Sequence, residues 1–240
     1  MANNAETDID ARSLLLTRPR ESAQRFLGEL DAKLMAGVTV VVSPLIEIVA
    51  IGKKPNLSAF AGAIFTSAHA PPLAPCGEGK PAFCVGAGTA RAARVRGWDV
   101  LLVAETAEDL VAQIKDSPTP LIHLSGRHRR GEIAERLSAT GTETKVHVLY
   151  DQRPQALSGE AQQLLRGPTG VVVPLFSPRT AKLFYDQVTD LSKVFVIAIS
   201  DAVAELVEGS GCHEVITARA PTGVEMRRSV EMRLRGTRLA

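Results

Sequence analysis

Small polar residues recur directly after short apolar runs. Thr66 and Ser67 follow Ile64 and Phe65, and Gly86, Gly88 and Thr89 follow Cys84 and Val85. Ser125 and Gly126 follow Leu124, Ser177 follows Phe176, and Ser200 follows Ile199. If the runs are parallel strands, these residues stand at their carboxyl ends, where open α/β sheets bind ligands. Helices begin in such turns, and their free N–H groups and neighbouring hydroxyls suit carboxylates and phosphates. Any one of these hydroxyls serves equally well as a helix cap; repeated along one chain, they point to a ligand cleft. Arg127, His128, Arg129 and Arg130 add a basic cluster at a strand-to-helix turn. It can receive carboxylates or stand as a solvated face.

Other chemistries are excluded by spacing. VGAGTA lacks the third glycine of the dinucleotide fingerprint, because Arg91 holds that place, and GEGK at 77–80 is not followed by Ser or Thr. His69, His123, His128, His147 and His213 show no zinc-protease spacing, and His123 and His147 fall within strand-like runs, so no metal is expected. Cys76, Cys84 and Cys212 are too scattered for a disulfide framework or a zinc knuckle. No G-x-S-x-G elbow offers a hydrolase nucleophile. Aromatics at 4% leave few stacking platforms for single-stranded nucleic acid, and 28 Lys+Arg against 26 Asp+Glu is too balanced for a nonspecific DNA binder.

The elements that must position these residues are legible as alternation. Apolar runs at 14–16, 38–42, 63–65, 82–85, 100–103 and 121–124 continue at 145–149, 171–175, 194–199 and 214–216. Most lack a polar alternate position, as in parallel strands covered on both faces. Between them lie helical patterns. One helix is expected over 19–36, with Ala23, Phe26, Leu27, Leu30 and Leu34 as its apolar stripe and Gly37 past its end. Others are expected at 89–96 before Gly97 and at 130–140 before Gly141. Thr106 with Asp109, and Thr222 with Glu225, have capping-box spacing. The basic stretch 227–238 reads as a last amphipathic helix with a frayed end. Alternating strands and helices imply a parallel α/β protein. Its 240 residues, 45% hydrophobic, suffice for two domains of about 120 residues each.

The chain also contains two imperfect copies of one design, offset by about 110 residues, much longer than a solenoid repeat. LLLTRPRESAQRFLGELDAKLMAG is echoed by LIHLSGRHRRGEIAERLSATG, AIFTSAHA by PLFSPRTA, and AFCVGAGTARAARVRGWDV by VFVIAISDAVAELVEGSGCHEV. The proline-containing segments 43–54 and 150–158 interrupt the rhythm and are the candidate linkers. The polar, acidic opening MANNAETDIDARS is neither a signal nor a transit peptide, and no apolar run reaches membrane-spanning length. A cytoplasmic protein is expected.

In their order and spacing these segments resemble the uroporphyrinogen-III synthase family. The resemblance runs from about Ser13 to Arg235. Its pieces are LLLTRP, FTSAHA for the family's FTS-x-x-A, VGAGTA for VG-x-x-TA, LSGRHRRGEIAERLSATG, VHVLY ending in a tyrosine, and LFSPRTA for F-S-P-x-x-A. Two departures stand out. AISDAVA puts Ala202 and Val203 where the family has threonines, and the prolines of AHAPPL shorten the helix after FTS.

The resemblance implies two parallel-sheet α/β domains, one discontinuous, joined by a two-strand linker. Domain 1 would be 12–44 plus 157–236, domain 2 would be 51–147, with linkers at 45–50 and 148–156 and flexible ends at 1–11 and 237–240. It implies cofactor-free closure of hydroxymethylbilane to uroporphyrinogen III, with loss of water and inversion of ring D. The expected protein is a monomer, with hydroxymethylbilane synthase handing over the substrate and with neither nucleic acid nor membrane as partner. Residue by residue, Thr66, Ser67, Gly86, Thr89, Gly126, Ser177 and Ser200 would line the substrate site. Arg18 and Arg129 would steer the carboxylate arms, and Tyr150 would donate a hydrogen bond or proton to the departing hydroxyl. The competing class is a non-catalytic two-lobed α/β module that binds an anionic small molecule.

Overall fold

The computed structural model describes residues 11–114, 117, 119–129 and 132–236. The expectations for the outermost ends, and for Arg130 in the basic cluster, lie outside the described residues.

Strand β1 (Ala11–Leu16) leads into α1 (Arg20–Gly28), α2 (Ala32–Met35) and β2 (Thr39–Val42). β2 returns parallel to β1, with Leu14 opposite Val40. The single helix expected over 19–36 is therefore two. Asp31 breaks it: its carboxylate accepts the Lys33 N–H at 2.9 Å and so caps α2. A short acceptor that satisfies nearby backbone donors competes with the helix interior.

Next come β3 (Ile46–Ala50), β4 (Gly62–Phe65), α3 (Ala70–Leu73), β5 (Pro81–Val85), α4 (Ala87–Val95) and β6 (Asp99–Ala104). α3 is a single turn with proline in its first positions, the shortening that AHAPPL implies. They are followed by α5 (Ala107–Gln113), β7 (Leu121–Gly126), α6 (Ile133–Ala139) and β8 (Thr144–Pro154). Thr106 caps α5, accepting the Asp109 N–H at 3.0 Å. The last stretch is α7 (Gly159–Arg166), β9 (Gly170–Leu175), α8 (Pro178–Tyr185), β10 (Val194–Ala198), α9 (Asp201–Ala204), β11 (Glu214–Thr217) and α10 (Gly223–Leu234). Thr222 caps α10.

The chain folds into two compact units. One takes the described residues up to Glu47 and from Pro154 onward; the other is Ile48–Arg153. The chain passes from one to the other within β3 and again within β8. Those two strands pair antiparallel: Ile51 N–H donates to Leu149 O at 2.9 Å, and Gln155 N–H to Leu45 O at 2.9 Å. The proline-containing breaks in the rhythm thus contain strand: Ile46–Ala50 lies inside the first, and β8 runs on to Pro154 in the second.

The first unit has the sheet order β11-β10-β9-β1-β2 and the second β3-β8-β7-β4-β5-β6. Apart from β3, the two orders are one order: β2-β1-β9-β10-β11 matches β8-β7-β4-β5-β6. The repeated segments occupy equivalent places in it, β1 with β7, β9 with β4, and β10 with β5. The other described pairings are parallel.

Strands without alternation feed two cores each. In the first unit Val171, Val173, Val194 and Val196 pack with Phe184 and Val203 on one face. Val172, Phe195 and Ile197 pack with Leu14, Phe26 and Met226 on the other. In the second unit Phe65, Cys84 and Leu124 join Trp98 and Ala90, while Ile64, Phe83 and Leu121 join Leu110 and Leu137. Each such side chain contributes roughly 1.5–3 kcal/mol by leaving water, so every residue of β4, β7, β9 and β10 is apolar or buried for a reason of packing. None of the described helices is long and apolar enough to cross a membrane.

Candidate functional site

In the second unit the carboxyl ends of β4, β5 and β7 bring together Thr66, Ser67, Gly86, Thr89 and Gly126. Thr66 is half-buried, and its Oγ1 lies 3.2 Å from Nε2 of His123, which is 2% exposed in β7. Burial, reinforced by the Arg129 charge and opposed by Glu135, pulls the His123 pKa down to about 4. The ring is therefore neutral at physiological pH. Ser67 Oγ accepts the His69 N–H at 3.3 Å and shares a hydrogen bond with the Tyr150 phenol.

Tyr150 is expected at the open end of its strand, where a linker begins. It is instead 2% exposed, and β8 continues beyond it to Pro154. Its ring lies on Gly126: a Cβ there would fall 2.6 Å from Cε2 and Cζ. The edge of His69 meets the ring at a centroid distance of 6.3 Å. Burial pushes the phenol pKa up, and the Ser67 bond only partly offsets that. The group therefore stays an O–H, able to donate a hydrogen bond and reluctant to ionise.

Gly86 is at the N-cap of α4 with φ +81°, a backbone that L side chains rarely adopt, and its N–H donates to Ala104 O at 2.8 Å. Thr89 sits in the first turn of α4, 5% exposed. The basic cluster divides. All three described members are exposed, and of these Arg127 and His128 turn to Asp151, at 3.2 and 3.6 Å.

In the first unit Arg18, Ser177 and Ser200 follow the carboxyl ends of β1, β9 and β10. The Arg18 guanidinium lies 3.9 Å from the centroid of Phe176, whose ring is braced edge-on by Phe26 at 5.1 Å. Burial and the Arg25 charge lower the Arg18 pKa to about 10, with Glu29 opposing, so the cation persists at pH 7. Ser177 does cap a helix: its Oγ accepts the Thr180 N–H at 3.1 Å. Ser200 stands at the N-cap of α9 without a side-chain cap bond, half-buried. The turns thus mix hydroxyls that cap a helix with ones that do not.

His123 is the residue that spacing alone did not single out. Its signal was a lone imidazole inside LIHLS, an otherwise apolar run, and only the pairing of β4 with β7 puts it behind Thr66. Among the described residues no three His, Cys, Asp or Glu side chains gather as a metal site.

This arrangement can be compared with known proteins. The family model described as uroporphyrinogen-III synthase HemD matches residues 29–226. No curated protein matches the chain in sequence. Among solved structures, the uroporphyrinogen-III synthetase of Helicobacter pylori is similar with a TM-score of 0.64 at 18% identity, over 93% of this chain and 99% of that one. A mutant uroporphyrinogen III synthase from the extremely thermophilic bacterium Thermus thermophilus is similar with a TM-score of 0.51 at 13% identity, again over 93% of this chain and 99% of that one. At such identities the solved structures speak for the two-unit fold, and the family model speaks for the sequence carried on it. With most of its length matched by that model, the chain belongs to the uroporphyrinogen-III synthase family of tetrapyrrole biosynthesis.

Proposed function

We propose that this lyase acts as a hydro-lyase on hydroxymethylbilane. The terminal hydroxyl departs as water, ring D is inverted through a spirocyclic pyrrolenine, and the macrocycle closes as uroporphyrinogen III. The observation that carries the reading is the set of hydroxyls at the carboxyl ends of β4 and β5 in the second unit, with the buried, protonated Tyr150 phenol bonded to one of them, Ser67.

The unaided substrate loses its hydroxyl readily and closes to the uninverted isomer. The enzyme's task is then to hold the chain so that the substituted ring-D carbon attacks, which is positioning and containment. Thr66, Ser67, Thr89, Ser177 and Ser200 supply hydroxyls for the substrate's carboxylates, Gly86 and Gly126 supply room and backbone shape, and Arg18 and Arg129 supply charge. Arg18 is pre-oriented by Phe176, so less rotamer freedom remains to be lost on binding. In this reading 12–44 with 157–236 and 51–147 are the functional domains, and 45–50 with 148–156 are their linkers. The enzyme works in the cytoplasm as a monomer, without a cofactor, on bilane received from hydroxymethylbilane synthase.

Tyr150 donates to the departing oxygen. Its raised pKa makes it a hydrogen-bond donor rather than a strong acid, which is enough for a leaving group that ionises easily. Tyr150→Phe is expected to slow formation of the type III isomer about tenfold, on the order of 1.4 kcal/mol, with the fold intact. A timed assay on freshly generated hydroxymethylbilane that resolves isomers I and III checks this. Full activity in the variant would make the phenol structural, and an isomer ratio equal to the enzyme-free control for the unmodified protein would overturn the reading itself. Thr89→Ala is expected to raise KM severalfold and leave kcat near its original value, since a hydroxyl that holds a carboxylate does so in ground and transition state alike. Steady-state kinetics in which kcat falls and KM does not would contradict it.

A further inference from the structure

We infer that His123 is a positioning residue. As a neutral imidazole donating from Nε2–H to Thr66 Oγ1, it frees the one Thr66 proton for an anionic group of the substrate, given that Thr66 binds substrate as proposed above.

The geometry layers the two side chains. His123 is 2% exposed inside β7, Thr66 is half-buried at the end of β4, and Nε2 and Oγ1 are 3.2 Å apart. Thr66 thus stands between a buried ring and the more accessible end of the sheet. A threonine hydroxyl has one proton and two lone pairs, and a neutral imidazole has one N–H and one lone pair, so the bond can run either way. The choice has consequences on both sides. If Thr66 donates to Nε2, its proton is consumed and it meets a carboxylate with lone pairs only, which repel. The ring proton would then sit on Nδ1, which is buried and has no hydrogen-bond partner among the described residues. A buried donor left unmade carries its full desolvation cost.

If Nε2–H donates instead, Thr66 Oγ1 is gripped through a lone pair and its proton points away from the ring. Nδ1 is then a bare acceptor. The Ser125 hydroxyl, two residues along β7 on the same face, is buried and likewise without a hydrogen-bond partner among the described residues. Through a bridging water molecule that hydroxyl can pair with Nδ1 in either tautomer, so what separates the two is that a bare buried acceptor is better tolerated than a bare buried N–H. The Nε2–H to Thr66 Oγ1 bond then leaves the Thr66 O–H as the donor that faces the substrate. The charged ring would also donate from Nε2, but it would put a cation into the core beside Leu121 and Ile64 with Arg129 nearby.

Nitrogen NMR of the imidazole in the full-length protein at pH 7 is the direct test. A protonated Nε2 and a bare Nδ1 are expected, and the opposite tautomer overturns the inference. Kinetics with freshly generated hydroxymethylbilane supply the second arm. His123→Leu is expected to raise KM about fivefold, the loss of one well-placed hydrogen bond, with kcat little changed. His123→Gln, whose amide N–H can replace Nε2–H, should recover most of that loss. In a Thr66→Val background, His123→Leu should add nothing further. If Thr66→Val leaves KM unchanged, the assignment of Thr66 to substrate binding fails. If Thr66→Val raises KM but His123→Leu does not, the positioning role of His123 fails alone.

Discussion

Gly126→Ala is expected to cost the fold about 2 kcal/mol and to cut turnover tenfold or more. The glycine is not held in the left-handed region, so its backbone accepts alanine; the obstacle is space. A methyl group there would lie 2.6 Å from Cε2 and Cζ of Tyr150 and 3.0 Å from its hydroxyl oxygen. None of these is the end of a flexible chain. The ring is 2% exposed, backed by the core that includes Phe65, Trp98 and Leu124, and can leave only by disturbing it. Either the phenol swings off Ser67, which removes the donor proposed for the departing hydroxyl, or β7 moves, which shifts Thr66 through the β4 pairing. Both reduce activity. Urea melts and the isomer assay check the two halves separately. In a Tyr150→Ala background, where the ring is gone, the same alanine should cost little stability, because neighbouring substitutions that share a clash are not additive. Wild-type stability and turnover for Gly126→Ala alone would show that the ring is not seated as described.

Acidification is expected to remove on the order of 3 kcal/mol of stability through His123 alone. In the unfolded chain a histidine titrates near 6.5, whereas in the fold burial holds this one at about 4. Between those values the unfolded state binds the extra proton and the native state does not. The contribution is therefore whole above about pH 6.5, declines as the pH falls, and stops changing once the pH passes below the folded value. Arg129 opposes protonation from outside the ring and Glu135 favours it, so their charges set the depth of the shift but not its sign. Unfolding free energies measured at pH 7 and pH 4.5 should differ by less in His123→Leu than in the unmodified protein. An equal difference in both would mean that the ring titrates in the native state as it does in the unfolded one.

Much of the architecture was readable in the residues. The ten strand-like runs all became strands, and the fully buried ones, 171–175 and 194–198, show why: a parallel strand covered on both faces must be apolar at consecutive positions. The internal repeat was readable too, and it proved to be a repeat of sheet order. The misreadings have local causes. The apolar stripe of 19–36 is periodic enough for one helix, yet Asp31 offers its carboxylate to the backbone and starts a second. β3 reads as a break because the segment 43–54 carries Pro44, and its strand character comes from the partner it finds in β8.

By itself, then, the sequence determined the alternation, the repeat, the family resemblance and the strand ends at which chemistry would gather, since all of these are properties of residue type and order along the chain. The tertiary structure alone decided what each polar group does there. Ser177 and Ser200 stand in equivalent turns, yet one caps its helix and the other makes no cap bond. Tyr150 follows the apolar run 145–149 at the start of an expected linker, yet the absence of a side chain at Gly126 lets its ring sink into the core. His123 carried no spacing signal, because its partner Thr66 lies 57 residues away and meets it only when β4 and β7 pair. A hydrogen bond is directional and effective over about 3 Å, so which hydroxyl keeps a free proton depends on neighbours that chain order does not supply and only the folded sheet brings within reach.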